Sequence, residues 1–136
     1  MRTAPPRLSA AAKGWMVALV WARFSRVWLT LRRRPLPDAV TRIGTGAPAP
    51  ALRVDARRMG RIVNRSLTIG SWQPRCLYQA LVLYRGLRAQ GDEAELVIGL
   101  PREAATKDAH AWVEVAGVDV GPPPGRGLHE ELARYR

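Results

Sequence analysis

Arg75-Cys76-Leu77-Tyr78-Gln79-Ala80-Leu81-Val82-Leu83-Tyr84 is the stretch that decides the fold, because it sets the chain's single cysteine at the head of an apolar helical run. Leu77, Ala80, Leu81, Tyr84 and Leu87 recur at helical spacing, which predicts a helix over residues 76–90 that buries one face and stops at Gly91. Pro74 suits the start of such a helix, since its fixed φ fits the first turn and its missing N–H removes one orphan donor. Cys76 then lies at the positive end of the helix dipole, where a thiolate is favoured over a thiol.

Downstream the period changes from helical to alternating or continuous apolar. Residues 94–100 read as one strand, 109–115 as a second and 118–121 as a third, with Ala116-Gly117 as a two-residue turn between the last two. His110 heads the second strand, in Ala109-His110-Ala111-Trp112-Val113-Glu114-Val115. Residues 101–108 form a polar loop, and the stretch beyond the Pro/Gly run reads as a short amphipathic tail that keeps His129 outside the site. Upstream, residues 54–66 read as a helix capped near Asp55. Residues 14–31 read as another, on which Val17, Trp21, Phe24, Trp28 and Leu31 recur at three- and four-residue steps. Arg32-Arg33-Arg34-Pro35-Leu36-Pro37 ends that helix, and residues 43–50 form a Gly/Ala/Pro connector. Helices followed by a small antiparallel sheet make an α+β layout. The expected division is a basic N-terminal helix with its linker over 1–50 and a catalytic domain over 51–136.

Composition narrows the chemistry. One cysteine in 136 residues forms no intrachain disulfide, so a reducing compartment, the cytoplasm, is expected. With only His110 and His129 beside it, no metal cluster is suggested. Residues 1–65 carry 14 Arg/Lys against Asp38 and Asp55, whereas residues 66–136 carry 8 against 9 acids. The basic half suits an acidic peptide or protein, anionic lipid or nucleic acid, but RNA-type aromatic motifs, zinc knuckles and a helix-turn-helix pattern are missing. The apolar run of the first helix is too short and too charged for a membrane span; it reads as an amphipathic helix packed on the domain or a partner, with a membrane-surface helix, on which aromatics oppose arginines, as the alternative rather than the expectation.

The three blocks, Cys76 to Tyr84, Ala94-Glu95-Leu96-Val97-Ile98-Gly99-Leu100 and Ala109 to Val115, resemble the transglutaminase-like leader peptidase of lasso-peptide biosynthesis over roughly residues 52–122. The likeness is to the stand-alone protease, whose leader is held by a separate PqqD-like recognition protein. It implies a transglutaminase/papain-like core with the nucleophile at a helix N-terminus. It also implies a cysteine peptidase that removes the leader of a ribosomally made precursor before an asparagine-synthetase-like cyclase closes the ring. By this resemblance Cys76 is the nucleophile and His110 the general base and acid, and no cofactor is required. Independently of it, a helical thiol facing an imidazole within hydrogen-bond reach is the geometry that nucleophile activation demands. The backbone N–H of Cys76 is an oxyanion donor, with Gln73 a weaker second candidate.

The acid is where the chain departs from its relatives. It is expected about twelve residues after the histidine, within Gly121-Pro122-Pro123-Pro124, which holds none. Asp119 lies three residues earlier, but the two-residue turn pairs it with Glu114, so it orients the imidazole only if the register is shifted or bulged. Glu114, on the same strand face as His110 and Trp112, is the alternative, and a dyad without an acid is the third. A non-catalytic interaction module of the same fold, with a basic docking surface, is the competing reading. In that reading Cys76 is a small buried hydrophobe and His110 a satisfied strand residue.

Overall fold

The computed structural model describes residues 9–45, 54–101, 109–122 and 129–136. Four helices, α1 (Ala10–Arg33), α2 (Leu36–Gly44), α3 (Ala56–Leu67) and α4 (Cys76–Ala89), precede four strands, β1 (Ala94–Pro101), β2 (His110–Val115), β3 (Val118–Gly121) and β4 (His129–Tyr135). The strands form one antiparallel sheet in the order β3-β2-β1-β4. This is the expected α+β class.

α4 is the central element. Ala80, Leu81, Val82, Leu83, Tyr84 and Leu87 are all buried, so the helix is enclosed nearly all round rather than along one stripe. It packs on β1 and β2 on one side and on α1, α2 and α3 on the other. Each fully buried Leu or Val contributes about 1.5–3 kcal/mol of transfer free energy, which makes this helix the chief source of core stability. From the sheet, Leu96 and Ala94 of β1 with Ala111 and Val113 of β2 complete the same cluster.

The expected division near residue 50 does not separate two cores. Met16, Val20 and Val27 of α1 and Val40 and Ile43 of α2 share one cluster with α3, α4 and the sheet. α1 also begins earlier than its apolar pattern suggests, because the Ser9 side chain accepts the Ala12 N–H at 3.1 Å and caps the helix at Ala10. α2 occupies a stretch in which the first helix was expected to end at Arg32–Pro37 and a connector to begin at residue 43. Pro37 lies in the first turn, where its missing N–H has no helical partner to lose. The connector falls mostly outside the described residues, as does the loop before β2. α3 starts at the expected cap, with the Asp55 side chain accepting the Arg57 N–H at 3.2 Å.

The segment expected to be an amphipathic tail is instead the edge strand β4, paired along β1 from Pro101↔His129 to Leu96↔Tyr135. Its reason is electrostatic. Glu95 and Glu114 are direct cross-strand neighbours, a repulsive placement, and the Arg134 guanidinium of β4 bridges both carboxylates. No helix among the described residues is long and apolar enough to cross a membrane.

Candidate active site

Arg75 is the N-cap of α4 and provides no side-chain capping bond; the Tyr78 N–H donates to the Arg75 carbonyl at 3.0 Å, and the N–H of Cys76 is at the first helical position, where a helix offers no carbonyl to it. The residues before it are fixed by a tight reversal. Ile69 and Trp72 exchange backbone hydrogen bonds of 3.0 and 2.9 Å about Gly70, whose φ of +59° suits a residue without Cβ. Gln79, one turn into α4, then donates through Nε2 to the Pro74 carbonyl at 3.2 Å and ties the approach segment to the helix.

Cys76 is half-buried and hydrogen-bonded to His110. That bond is the largest influence on its acidity and lowers the thiol pKa. Burial opposes it, and backbone N–H groups of Ala111 and Leu77 with the imidazolium charge add to the lowering. His110 is 8% exposed. Burial alone would depress its pKa, but hydrogen bonds to Cys76 and to the Pro122 carbonyl, with the charges of Cys76 and Asp119, raise it overall. The two shifts favour a thiolate beside an imidazolium.

The tautomer follows from the partner on the far side of the ring. His110 Nε2 lies 3.1 Å from the Pro122 carbonyl oxygen, and a carbonyl only accepts, so Nε2 carries a proton. Nδ1 is then the basic nitrogen of the neutral ring. Pro122 is twelve residues after His110 and buried, so a backbone oxygen stands at the position expected of an acid.

The side-chain acids are placed elsewhere. Asp119 pairs with Glu114 and Val115 with Val118, as the two-residue turn requires. Between Val113 and Glu114 the register shifts, so that Gly121 meets Val113. The bulge accompanies a placement that sets the Pro122 carbonyl on the ring. Asp119 Oδ1 accepts the Gly121 N–H at 2.9 Å, and its charge raises the His110 pKa.

Glu114 does share a strand face with His110, but four residues of strand separate their Cα atoms by about 13 Å. Trp112 intervenes, stacked on His110 at 6.2 Å and donating its indole N–H to Glu114 at 2.9 Å, while Arg134 takes the other carboxylate oxygen at 3.2 Å. As the acid for His110, Glu114 is thus excluded by distance and by its own partners. Gln73 likewise points away, donating to the Thr68 hydroxyl at 3.0 Å on the exposed surface. His129 begins β4 opposite Pro101.

Two participants escaped the sequence reading. The Pro122 carbonyl has no sequence signature, since every residue carries one. Gln79 did have one: a lone amide in an otherwise apolar helical run is either a defect or a tether, and here it is 4% exposed with Nε2 engaged and Oε1 without a partner among the described residues.

Searches of curated proteins and of solved structures each found no match. A family model does match, over residues 18–132, so it takes in the larger part of α1 as well as the block around the thiol and reaches into β4. With the thiol at a helix start, the imidazole at a strand start and the match running through both, this chain belongs to the transglutaminase-like superfamily, which includes cysteine peptidases.

Proposed function

We propose that the protein is a cysteine peptidase that removes the leader from a ribosomally synthesised lasso-peptide precursor. The observation that carries the catalytic part is the Cys76–His110 hydrogen bond, with the thiol made more acidic and the imidazole more basic by each other. The substrate assignment rests on the resemblance of the blocks around Cys76, Ala94 and Ala109 to the leader peptidases.

In this mechanism the Cys76 thiolate attacks the scissile carbonyl carbon, and the oxyanion forms next to the backbone N–H of Cys76 in the first turn of α4. The imidazolium gives its proton to the departing amine as the C–N bond breaks, leaving a thioester on Cys76. Neutral His110, held with Nε2–H on Pro122, then takes a proton from water through Nδ1. Hydroxide adds to the thioester, the leader leaves as a carboxylic acid, and Cys76 is regenerated. A carbonyl acceptor suffices to fix the ring and to stabilise its protonated form. The want of an acid within residues 121–124 of the sequence therefore does not favour a non-catalytic module.

A PqqD-like recognition protein would present the leader, and a lasso cyclase would consume the new α-amine. The test is mass spectrometry of a precursor incubated with the chain and its recognition protein. One cut at the leader–core junction, absent in Cys76→Ala, is expected. An intact precursor in the presence of a reactive Cys76 thiol would refute the substrate assignment.

A further inference from the structure

The chain between α3 and α4, residues 68–75, is a short reversal that leads straight to Cys76. Side chains fasten it at both ends. The Thr68 hydroxyl donates to the Asn64 carbonyl of α3 at 2.6 Å and accepts from Gln73 Nε2 at 3.0 Å, while Gln79 of α4 donates to the Pro74 carbonyl at 3.2 Å. Between these ties Ile69 and Trp72 form the two-bond backbone bridge about Gly70.

Residues opposite one another in an antiparallel bridge carry their side chains on the same face, with Cβ atoms about 5 Å apart. Ile69 and Trp72 are therefore neighbours, yet they are 60% and 49% exposed. A single apolar side chain on a surface is ordinary, but an adjacent Ile and Trp on a firmly tied turn make a patch. The patch is also close to the chemistry. Four residues of chain span at most about 14 Å, so the Trp72 Cα lies no farther than that from the Cα of Cys76, a distance covered by about four residues of extended peptide.

We infer that Ile69 and Trp72 form an apolar ledge that seats a hydrophobic side chain of the substrate peptide, close to the bond that Cys76 cleaves. The inference rests on the peptidase reading of Cys76 and His110 and names the substrate class that the site prefers. A branched aliphatic side chain beside an indole suits leucine, isoleucine or an aromatic ring. A hydroxylated or charged side chain would give up water there without a polar partner in return from either residue's apolar surface. Because Thr68, Gln73, Gln79 and the backbone bridge already fix the turn, substrate binding does not have to order it.

The experiment follows the rate at which Cys76 of the full chain is alkylated by peptide reagents. Acetyl-trileucine chloromethyl ketone places its peptide on the acyl side of the thiol and bromoacetyl-trileucine amide on the leaving side, and each is compared with its triserine counterpart. Every rate is divided by that of glutathione with the same reagent, which removes intrinsic reactivity. At least one leucine reagent should react about tenfold faster than its serine counterpart, the scale on which apolar sites discriminate. In Ile69→Ser/Trp72→Ser that ratio should fall to within about twofold of unity. Val118→Ser, which removes an exposed apolar side chain paired with Val115 at the end of β2 remote from His110, should leave it unchanged. Iodoacetamide carries no side chain, so it should alkylate wild type and double variant within about twofold, which certifies the fold. If it does not, Trp72→Gln alone carries the same expectation. A leucine-to-serine ratio below about twofold with both reagents, or a preference that survives in the variant, would overturn the inference. The peptidase reading fails by a different result, iodoacetamide alkylation indifferent to His110→Ala.

Discussion

His110 Nε2 donates to the carbonyl oxygen of Pro122 at 3.1 Å, across a strand bulge that shifts β3 against β2. A backbone oxygen cannot be protonated in the working pH range, and it moves only if the strand moves. The imidazole is therefore oriented by the fold itself. Its proton affinity is lowered by burial and, by a larger amount in sum, raised by Cys76, the Pro122 carbonyl and the charge of Asp119.

The pH profile should show this pairing. The thiol pKa is lowered, so alkylation of Cys76 by iodoacetamide should reach its plateau below the ordinary thiol range. In His110→Ala the main lowering influence is gone while burial still raises the thiol, so the inflection should move up and the rate at pH 7 should fall roughly tenfold or more. Peptide cleavage needs the imidazolium as well, and its pKa is raised. The kcat/KM profile is thus expected to be a bell that rises through the lowered thiol pKa and falls through the raised imidazole pKa. Identical alkylation profiles in wild type and His110→Ala would refute the pairing.

The two acids should separate cleanly by readout. Asp119→Ala removes a charge that favours the imidazolium and the bond to the Gly121 N–H, so cleavage should drop by about three- to tenfold, with the alkaline limb of the bell moved to lower pH. Glu114→Gln should leave Cys76 alkylation within about twofold. It should nevertheless lower unfolding free energy by about 1–3 kcal/mol, because the buried carboxylate is the shared partner of Trp112 and Arg134. Urea denaturation beside alkylation kinetics distinguishes the two, and a large loss of reactivity in Glu114→Gln would contradict the placement.

What could be read ahead of the structure followed the physics of each element. The helix behind Cys76, the Asp55 cap, the strands either side of Ala116-Gly117 and the Cys76–His110 pair all announce themselves through side-chain period or residue type. β4 did not, since Glu130, Glu131, Leu132, Ala133 and Arg134 favour helix locally, and pairing with β1 together with the Arg134 bridge overrides that preference. α2 was hidden behind prolines that read as breakers but fit a first turn. The acid's place was legible only as a gap, because a carbonyl that substitutes for a carboxylate leaves no mark in the sequence.

The β2–β3 turn offers a stability test remote from the chemistry. Ala116 has φ +52° and Gly117 φ +76°, both in the left-handed region, the signature of a primed hairpin turn. Alanine is strained there and asparagine is not. Ala116→Asn should therefore raise unfolding free energy by roughly 0.5–1 kcal/mol, read as a higher urea midpoint at unchanged slope, with Cys76 reactivity unaltered. A lower midpoint would mean that the turn conformation is otherwise.

The carbonyl on His110 cannot be deleted by exchanging a side chain, so its test acts on the strand that carries it. Gly60 lies in the interior of α3, where glycine is about 1 kcal/mol worse than alanine by helix propensity alone. Yet a Cβ on Gly60 would stand 2.0 Å from the Val120 carbonyl oxygen, two residues before Pro122. Backbone cannot yield as a flexible side chain does, and overpacking of this kind costs about 1–3 kcal/mol, so the contact should outweigh the propensity gain. Gly60→Ala is expected to lower stability by a net of up to about 2 kcal/mol and, in the molecules that remain folded, to displace β3. The His110–Pro122 bond then lengthens, the imidazole loses one of the influences that raise its pKa, and the alkaline limb of the kcat/KM bell should move toward lower pH. A Gly60→Ala protein that gains stability and keeps its pH profile would show that α3 does not hold the strand, and with it the Pro122 carbonyl, in place.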